Sequence, residues 1–351
     1  MPFERTADIE QPTVLTPRSW RWAFDAPVTG LVFSRAGSHL GAALGDGSVR
    51  MVVRDSPDPE PRTVMAHDGA VLCLRRDLGP GAFLSGGDDG RLVRIGADGT
   101  REVVLSAPGQ WIDTIAVAET ARAVALGREV RVLDPAGNET GRSADHPSTV
   151  SGLAFNPKGK RLAVSHYGGV TLWWTASLGG TPTRLTWRGS HIGVSWSPDA
   201  GYVMTATQDN ELHGWRLSDG ADMRMSGYAR KVRSLDWIAR PPCLLTAGSS
   251  GVTAWPFAGK GPMGQAPLEF GFKGRSLVTV VAAHPRRPLA AFGYDDGEVR
   301  LAELSGGGMA VIKPAGDGKV TSIAWSPDGA ALGIGTDDGA VCLVDLSKGA
   351  A

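Results

Sequence analysis

Short apolar segments alternate with turns rich in glycine, proline and aspartate along almost the whole chain. Residues 320–345 show the pattern: VTSIAWS, a turn at Pro327–Gly329, ALGIGT, a turn at Asp337–Gly339, then AVCLVD. Segments this short, rich in β-branched and aromatic residues, predict antiparallel strands rather than helices. The turns fit, since Asp-Gly pairs supply the positive-φ positions of tight hairpins. They recur at Asp46-Gly47, Asp89-Gly90, Asp296-Gly297 and Asp338-Gly339, with Asp209-Asn210 in place of one.

The same grammar returns eight times: VTGLVFSRAG from Val28, AVLCLRRDLG from Ala70, WIDTIAVAET from Trp111, VSGLAFNPKG from Val150, IGVSWSPDAG from Ile192, VRSLDWIARP from Val232, VTVVAAHPRR from Val278 and VTSIAWSPDG from Val320. The spacing is about 42 residues, within the range of repeat architectures. Each copy has room for four strands. A lone sheet of that size buries too little surface to stand by itself, so the copies must stack. Strands apolar on both faces, such as VVAA, LAAFG and CLLTA, predict stacking around an axis.

The run SPDG-x-x-L-x-x-G-x-x-DG-x-V-x-L-x-D, as it stands at 326–345, resembles the WD40 repeat, and the resemblance extends over residues 19–346. It implies an all-β fold, a β-propeller of eight four-stranded blades. Ser19–Phe24 (SWRWAF) is the expected closing strand, lending the last blade its outer edge. A seven-bladed ring with one copy set aside is the alternative, because copies three and six are degenerate. The expected division is an N-terminal extension at 1–18, the propeller at 19–346 and a C-terminal tail at 347–351.

WD40 blades typically carry a His, a Ser or Thr, an Asp and a Trp whose side chains form one hydrogen-bonded line. His67, Ser85 and Asp89 match in copy two, where Ile95 takes the Trp place; Thr205, Asp209 and Trp215 match in copy five, where the His position does not. His146 matches in copy four with Tyr167 at the Asp place, and the terminal Asp survives at Asp345. The resemblance gives these residues structural roles and argues against reading them as a hydrolase triad. Trp196, Trp237 and Trp325 share one repeat position and are expected to pack.

Composition narrows the partners. The 36 Lys and Arg balance 36 Asp and Glu, so no global basic field invites nucleic acid. No stretch approaches the ~18 apolar residues of a membrane span. Charges in MPFERTADIE argue against a secretory signal, and Cys73, Cys243 and Cys342 lack metal spacing, so a cytoplasmic protein with buried thiols is expected. The 48 glycines belong to the turns, and a length suggesting two or three domains belongs to one ring.

A zero sum hides an asymmetry. Arg188, Arg230, Lys231, Arg233, Lys273, Arg275 and Lys319 fall in the loops entering copies five to eight, an arc suited to a protein partner or acidic peptide. Asp209, Asp295, Asp296, Asp337 and Asp338 lie in turns on the same rim and can pair with it. Trp111, after Pro108-Gly109-Gln110, is the aromatic anchor expected there. The function expected is a non-enzymatic, monomeric scaffold without cofactor. The alternative is a zinc-associated propeller using His146, His166 and His191, with Asp145 as a fourth ligand. A propeller enzyme or nucleic-acid binder is less well supported: no phosphate-binding loop and no H-E-x-x-H is present.

Overall fold

A computed structural model describes residues 12–259, 261–306 and 308–347. The parts of the expected extension and tail at 1–11 and 348–351 lie outside the described residues. Within each repeat the chain forms an antiparallel meander, its inner strand lining the axis and its fourth strand at the periphery. The turn glycines do what their spacing predicts: Gly47, Gly90, Gly297 and Gly339 all have positive φ. A Cβ at Gly297 would also run into the Gly316 carbonyl oxygen.

The described strands form seven hydrogen-bonded sheets, which corrects the expected count of eight. No repeat is set aside. Degenerate repeats three and six fold as four-stranded meanders beginning at Ile115–Val117 and Leu235–Ala239. Instead, repeats four and five share one six-stranded sheet, because Arg161–Trp174 and Thr183–Trp196 run as continuous strands. The sequence explains the merger. Tyr167-Gly168-Gly169 replaces the usual Asp-Gly turn, and Tyr167 pairs with Ser190 in the connection between the two repeats. Inside the shared sheet the pairing still follows two meanders: Gly169–Leu172 against Thr183–Thr186, then His191–Trp196 against Val203–Thr207.

Circular closure is made by the N-terminal strand. Ser19–Ala23 pairs antiparallel with Ala340–Val344, completing the last sheet. Its Trp20 and Trp22 pack on a cluster shared by repeats eight and one, around Val28, Phe33, Leu40, Ala331, Val341 and Leu343. Just upstream, Thr13–Val14 adds a parallel edge strand to the seventh repeat's sheet, opposite Ala310 and Val311.

Hydrophobic clusters lie between each repeat and the next, so both faces of every sheet are covered. Polar ties cross the same junctions. The tryptophans expected only to pack also donate hydrogen bonds to the preceding inner strand: Trp196 Nε1 to the Ala154 carbonyl (2.9 Å), Trp237 Nε1 to Ser195 Oγ (2.9 Å) and Trp325 Nε1 to the Ala282 carbonyl (3.2 Å). Near the axis, Thr279 and Thr321 hydroxyls donate to the Val320 and Val28 carbonyls of the following repeat, at 2.7 and 2.8 Å. The Thr321 bond spans the point where the ring closes.

A buried ion pair joins repeats two and three. Arg122 donates from Nε and Nη2 to the two oxygens of Asp77, at 2.7 and 2.9 Å, and both side chains are enclosed. Fork-to-fork geometry offsets the desolvation of both groups, and neither partner tolerates being left alone. Asp77→Ala is expected to cost about 3–5 kcal/mol in denaturant unfolding by stranding the Arg122 charge. A paired Asp77→Leu, Arg122→Met change should recover most of that loss.

Candidate functional site

The antiparallel order of each meander sends two sets of connections to one end of the ring: the loops entering the inner strands, and the turns between second and third strands. That end is the upper rim. In repeat two, His67 Nδ1 lies 2.9 Å from Asp89 Oδ1 and Nε2 lies 2.9 Å from Ser85 Oγ. The neutral ring donates to the carboxylate and accepts from the hydroxyl. Burial lowers the His67 pKa despite the Asp89 contact. Burial works against the Asp89 carboxylate, yet hydrogen bonds from His67 and from the Arg91 and Asp68 amides hold it below its usual range.

The other repeats solve the same problem with different residues. In repeat four, Trp173 donates to His146 Nε2 (3.1 Å), whose Nδ1 meets the Arg128 carbonyl (2.8 Å). Repeat five does have its histidine, contrary to the sequence reading. His191 Nδ1 lies 2.8 Å from Thr205 Oγ1, beside the buried Trp215. Asp209 is not part of that line, for its side chain is exposed and His191 Nε2 is bonded to the Trp187 carbonyl. In repeat six Tyr228 stands in for the histidine, receiving Trp255 Nε1 and meeting Thr246 Oγ1, both at 2.8 Å. Only a search by repeat position, rather than by residue type, would have found His191 and Tyr228. Asp345 instead accepts the Ser347 amide at the end of the last strand.

These bonds also bear on the zinc alternative. His146 and His166 rings are 5.6 Å apart, but His166 spends Nδ1 on the Tyr167 carbonyl and Nε2 on Thr171 Oγ1, while His191 is held by Thr205 and Trp187. Each ring nitrogen of the three already has a protein partner. No group of three His, Cys, Asp or Glu able to hold a metal occurs among the described residues, and Asp145 is not drawn to the histidines as a ligand.

Trp111 projects from the rim with 68% of its surface exposed. It borders a cleft of about 640 Å³ between repeats three and four, with Gln110, Arg128, Glu129 and Asp145 on its walls. Tyr167, Trp187 and Phe272 are further exposed aromatics on this rim, and Trp187 stacks on His213 with ring centroids 4.0 Å apart. Composition could not distinguish them from core aromatics. The cationic arc divides in two. Lys273 is bound to Asp296 (2.5 Å) and Glu298 (2.8 Å), and Lys319 to Asp337 (3.2 Å). Arg188, Arg230, Lys231, Arg233 and Arg275 are exposed and form no ion pair among the described residues.

All seven histidines have lowered pKa values, burial being the largest cause in each, and His213 reaches about 4. In the unfolded chain they protonate near pH 6.5. The unfolded state therefore takes up more protons than the folded state as pH falls below that value, and stability is lost on acidification. The melting temperature is expected to fall steadily from pH 7 to pH 5, before most carboxylates titrate. Thermal melts across that range check this.

The comparisons agree with this architecture. The WD40 domain family of anaphase-promoting complex subunit 4 matches residues 274–351. A computationally designed protein, Ika8, has a crystal structure similar to this chain at a TM-score of 0.73 and 18% identity, covering 96% of this chain and 100% of its own. No curated protein matches. With the repeat grammar and the closed ring in place, the chain is a β-propeller whose last repeats are similar to a WD40 domain family.

Proposed function

We propose that the protein is a rigid, non-catalytic platform whose upper rim, from repeat three to repeat seven, holds an acidic segment of a partner protein. The observation that carries this reading is the alternation, on one rim, of exposed aromatics with cations that have no internal counterion: Trp111, Tyr167 and Trp187, then Arg188, Arg230, Lys231, Arg233, Phe272 and Arg275. Aromatic and arginine side chains supply most of the energy of protein interfaces, and unpaired guanidinium groups favour carboxylates.

The fold supports it physically. Preformed loops on a closed ring lose little conformational entropy on binding. Eight repeats folded into seven sheets present these loops at intervals around the axis. The WD40 family it matches in part is named for a subunit of a complex, in keeping with an adaptor. Nothing favours a catalytic reading, for the Ser, His and Asp groups that meet are consumed in holding strands together. The thiols of Cys73 and Cys243, pushed up to about 12 by burial, are poor nucleophiles and fit a reducing, cytoplasmic setting. No helix among the described residues is long and apolar enough to cross a membrane.

Charge reversal of Arg230, Lys231 and Arg233 together is expected to abolish binding of an acidic peptide or native partner. Trp111→Ala should weaken it by about 2 kcal/mol or more, the scale of an aromatic hot spot. Thermal stability should be unchanged in both variants. Fluorescence anisotropy with a labelled acidic peptide, beside a pull-down of the partner, reads both effects. Full retention of binding by the triple variant would remove the basic arc from this account.

A further inference from the structure

The cleft beside Trp111, about 640 Å³ in volume, is bounded by the loop entering repeat three, the turn between that repeat's second and third strands, and the loop entering repeat four. Backbone hydrogen bonds pin its walls. Ile112 is fully buried and its amide donates to the Gly87 carbonyl at 3.0 Å, so the residues on either side of it, Trp111 and Asp113, are both turned out to the rim. On the facing wall the buried His146 donates its amide to the Arg128 carbonyl at 2.9 Å, which leaves the preceding Asp145 exposed. The Val150 amide, 2.8 Å from the Gly127 carbonyl, joins the loop of repeat four to the turn of repeat three. The recess is therefore preformed.

Its charge differs in sign from the arc on the same rim. Of the charged side chains on the walls, Glu129 and Arg131 are neutralised in a network of two acids and two bases with Glu139 and Arg142, at 2.7 to 3.7 Å. Arg128 donates Nε to the His146 carbonyl at 2.7 Å and forms no ion pair among the described residues. Asp113 and Asp145 are exposed and have no ion pair among the described residues either. Two carboxylates against one guanidinium leave the cleft with one net negative charge, beside an indole that is mostly exposed. Repeats five to seven present unpaired cations instead, so the rim is polarised from one side to the other.

We propose that the Trp111 cleft is a pocket for one arginine side chain, so that the segment held on the upper rim is basic at its repeat-three end and acidic over repeats five to seven. The direction given to the segment rests on the reading of that rim as a surface for a partner's acidic segment; the pocket itself rests on its own walls. A guanidinium suits both kinds of group present, because its flat face stacks on an indole while its edge donates forked hydrogen bonds to a carboxylate. One net negative charge fits a single basic residue rather than a run of them, and Arg128 repels a second. An acidic side chain would meet Asp113 and Asp145 here, which sends the acidic part of the segment toward the arc.

The pocket is tested on the full chain with the peptide acetyl-Gly-Arg-Gly-amide and its citrulline counterpart, which keeps the shape and loses the charge. In protein labelled at the indole nitrogens, the Trp111 resonance, identified by its absence from a Trp111→Phe variant, is expected to shift saturably with the arginine peptide and little with the citrulline one. The double variant Asp113→Asn, Asp145→Asn should bind the arginine peptide about tenfold or more weakly. Its melting temperature should be unchanged, since neither carboxylate holds a partner in the fold. Joined to the labelled acidic peptide by a flexible spacer, the same arginine should tighten binding to the wild type about tenfold over citrulline, and the double variant should erase that difference. Charge reversal of Arg230, Lys231 and Arg233 should leave the short arginine peptide bound; acidic peptides that fail on the wild type while the short peptide still shifts Trp111 would count against the rim reading alone and support the pocket. Equal shifts with arginine and citrulline, undiminished arginine binding by the double variant, or preference for the corresponding glutamate peptide would overturn the proposal.

Discussion

A sheet of four short strands, apolar on both faces, cannot exist in water by itself, and the rest of this protein follows from that constraint. Each sheet buries one face against its predecessor and the other against its successor, and a linear stack would leave two faces bare. Closure into a ring removes them. The cost of closure is concentrated at one seam, where Ser19–Ala23 must return to pair with Ala340–Val344. Trp20 and Trp22 secure that seam by packing on a cluster drawn from both ends of the chain, and the Thr321 hydroxyl bonds the Val28 carbonyl across it.

Because the ring is held by side-chain burial between sheets, its polar groups are free to specialise. One set stiffens individual sheets, and it tolerates changes of chemistry as long as a donor and an acceptor meet: His67 with Ser85, His146 with Trp173, His191 with Thr205, Tyr228 with Thr246. A second set crosses between sheets, through indole donors, axial threonines and the Asp77–Arg122 pair. Neither set leaves a reactive group poised in a cleft. What remains for recognition is the part of the surface that the repeat does not dictate, namely loops at the two ends of the channel.

On the upper rim, exposed aromatics and cations without an internal counterion are spread over several repeats. Net charge conceals them, since other cations are held in ion pairs, such as Arg224 with Glu211 and Arg142 with Glu139.

Periodicity was enough to determine the strands and the repeat length, because alternating burial and turn chemistry are local properties written every few residues; the propeller and its closing strand came from the resemblance to the WD40 repeat. The candidate site was only partly legible. Which of the seven arc cations are free depended on whether Asp296, Glu298 and Asp337 lie within reach of Lys273 and Lys319, and sequence spacing carries no distances across a turn. The histidine cluster failed for the same reason: the imidazoles of His146, His166 and His191, on adjoining repeats, are each committed to different partners. The merging of repeats four and five was equally hidden, for it depends on whether the backbone at Tyr167-Gly168-Gly169 and Arg188-Gly189-Ser190 keeps its hydrogen bonds through a bend. Local patterning determines which residues become strands and turns; only the tertiary structure decides which side chains those strands bring within a few ångströms, since that depends on how neighbouring sheets pack around the axis.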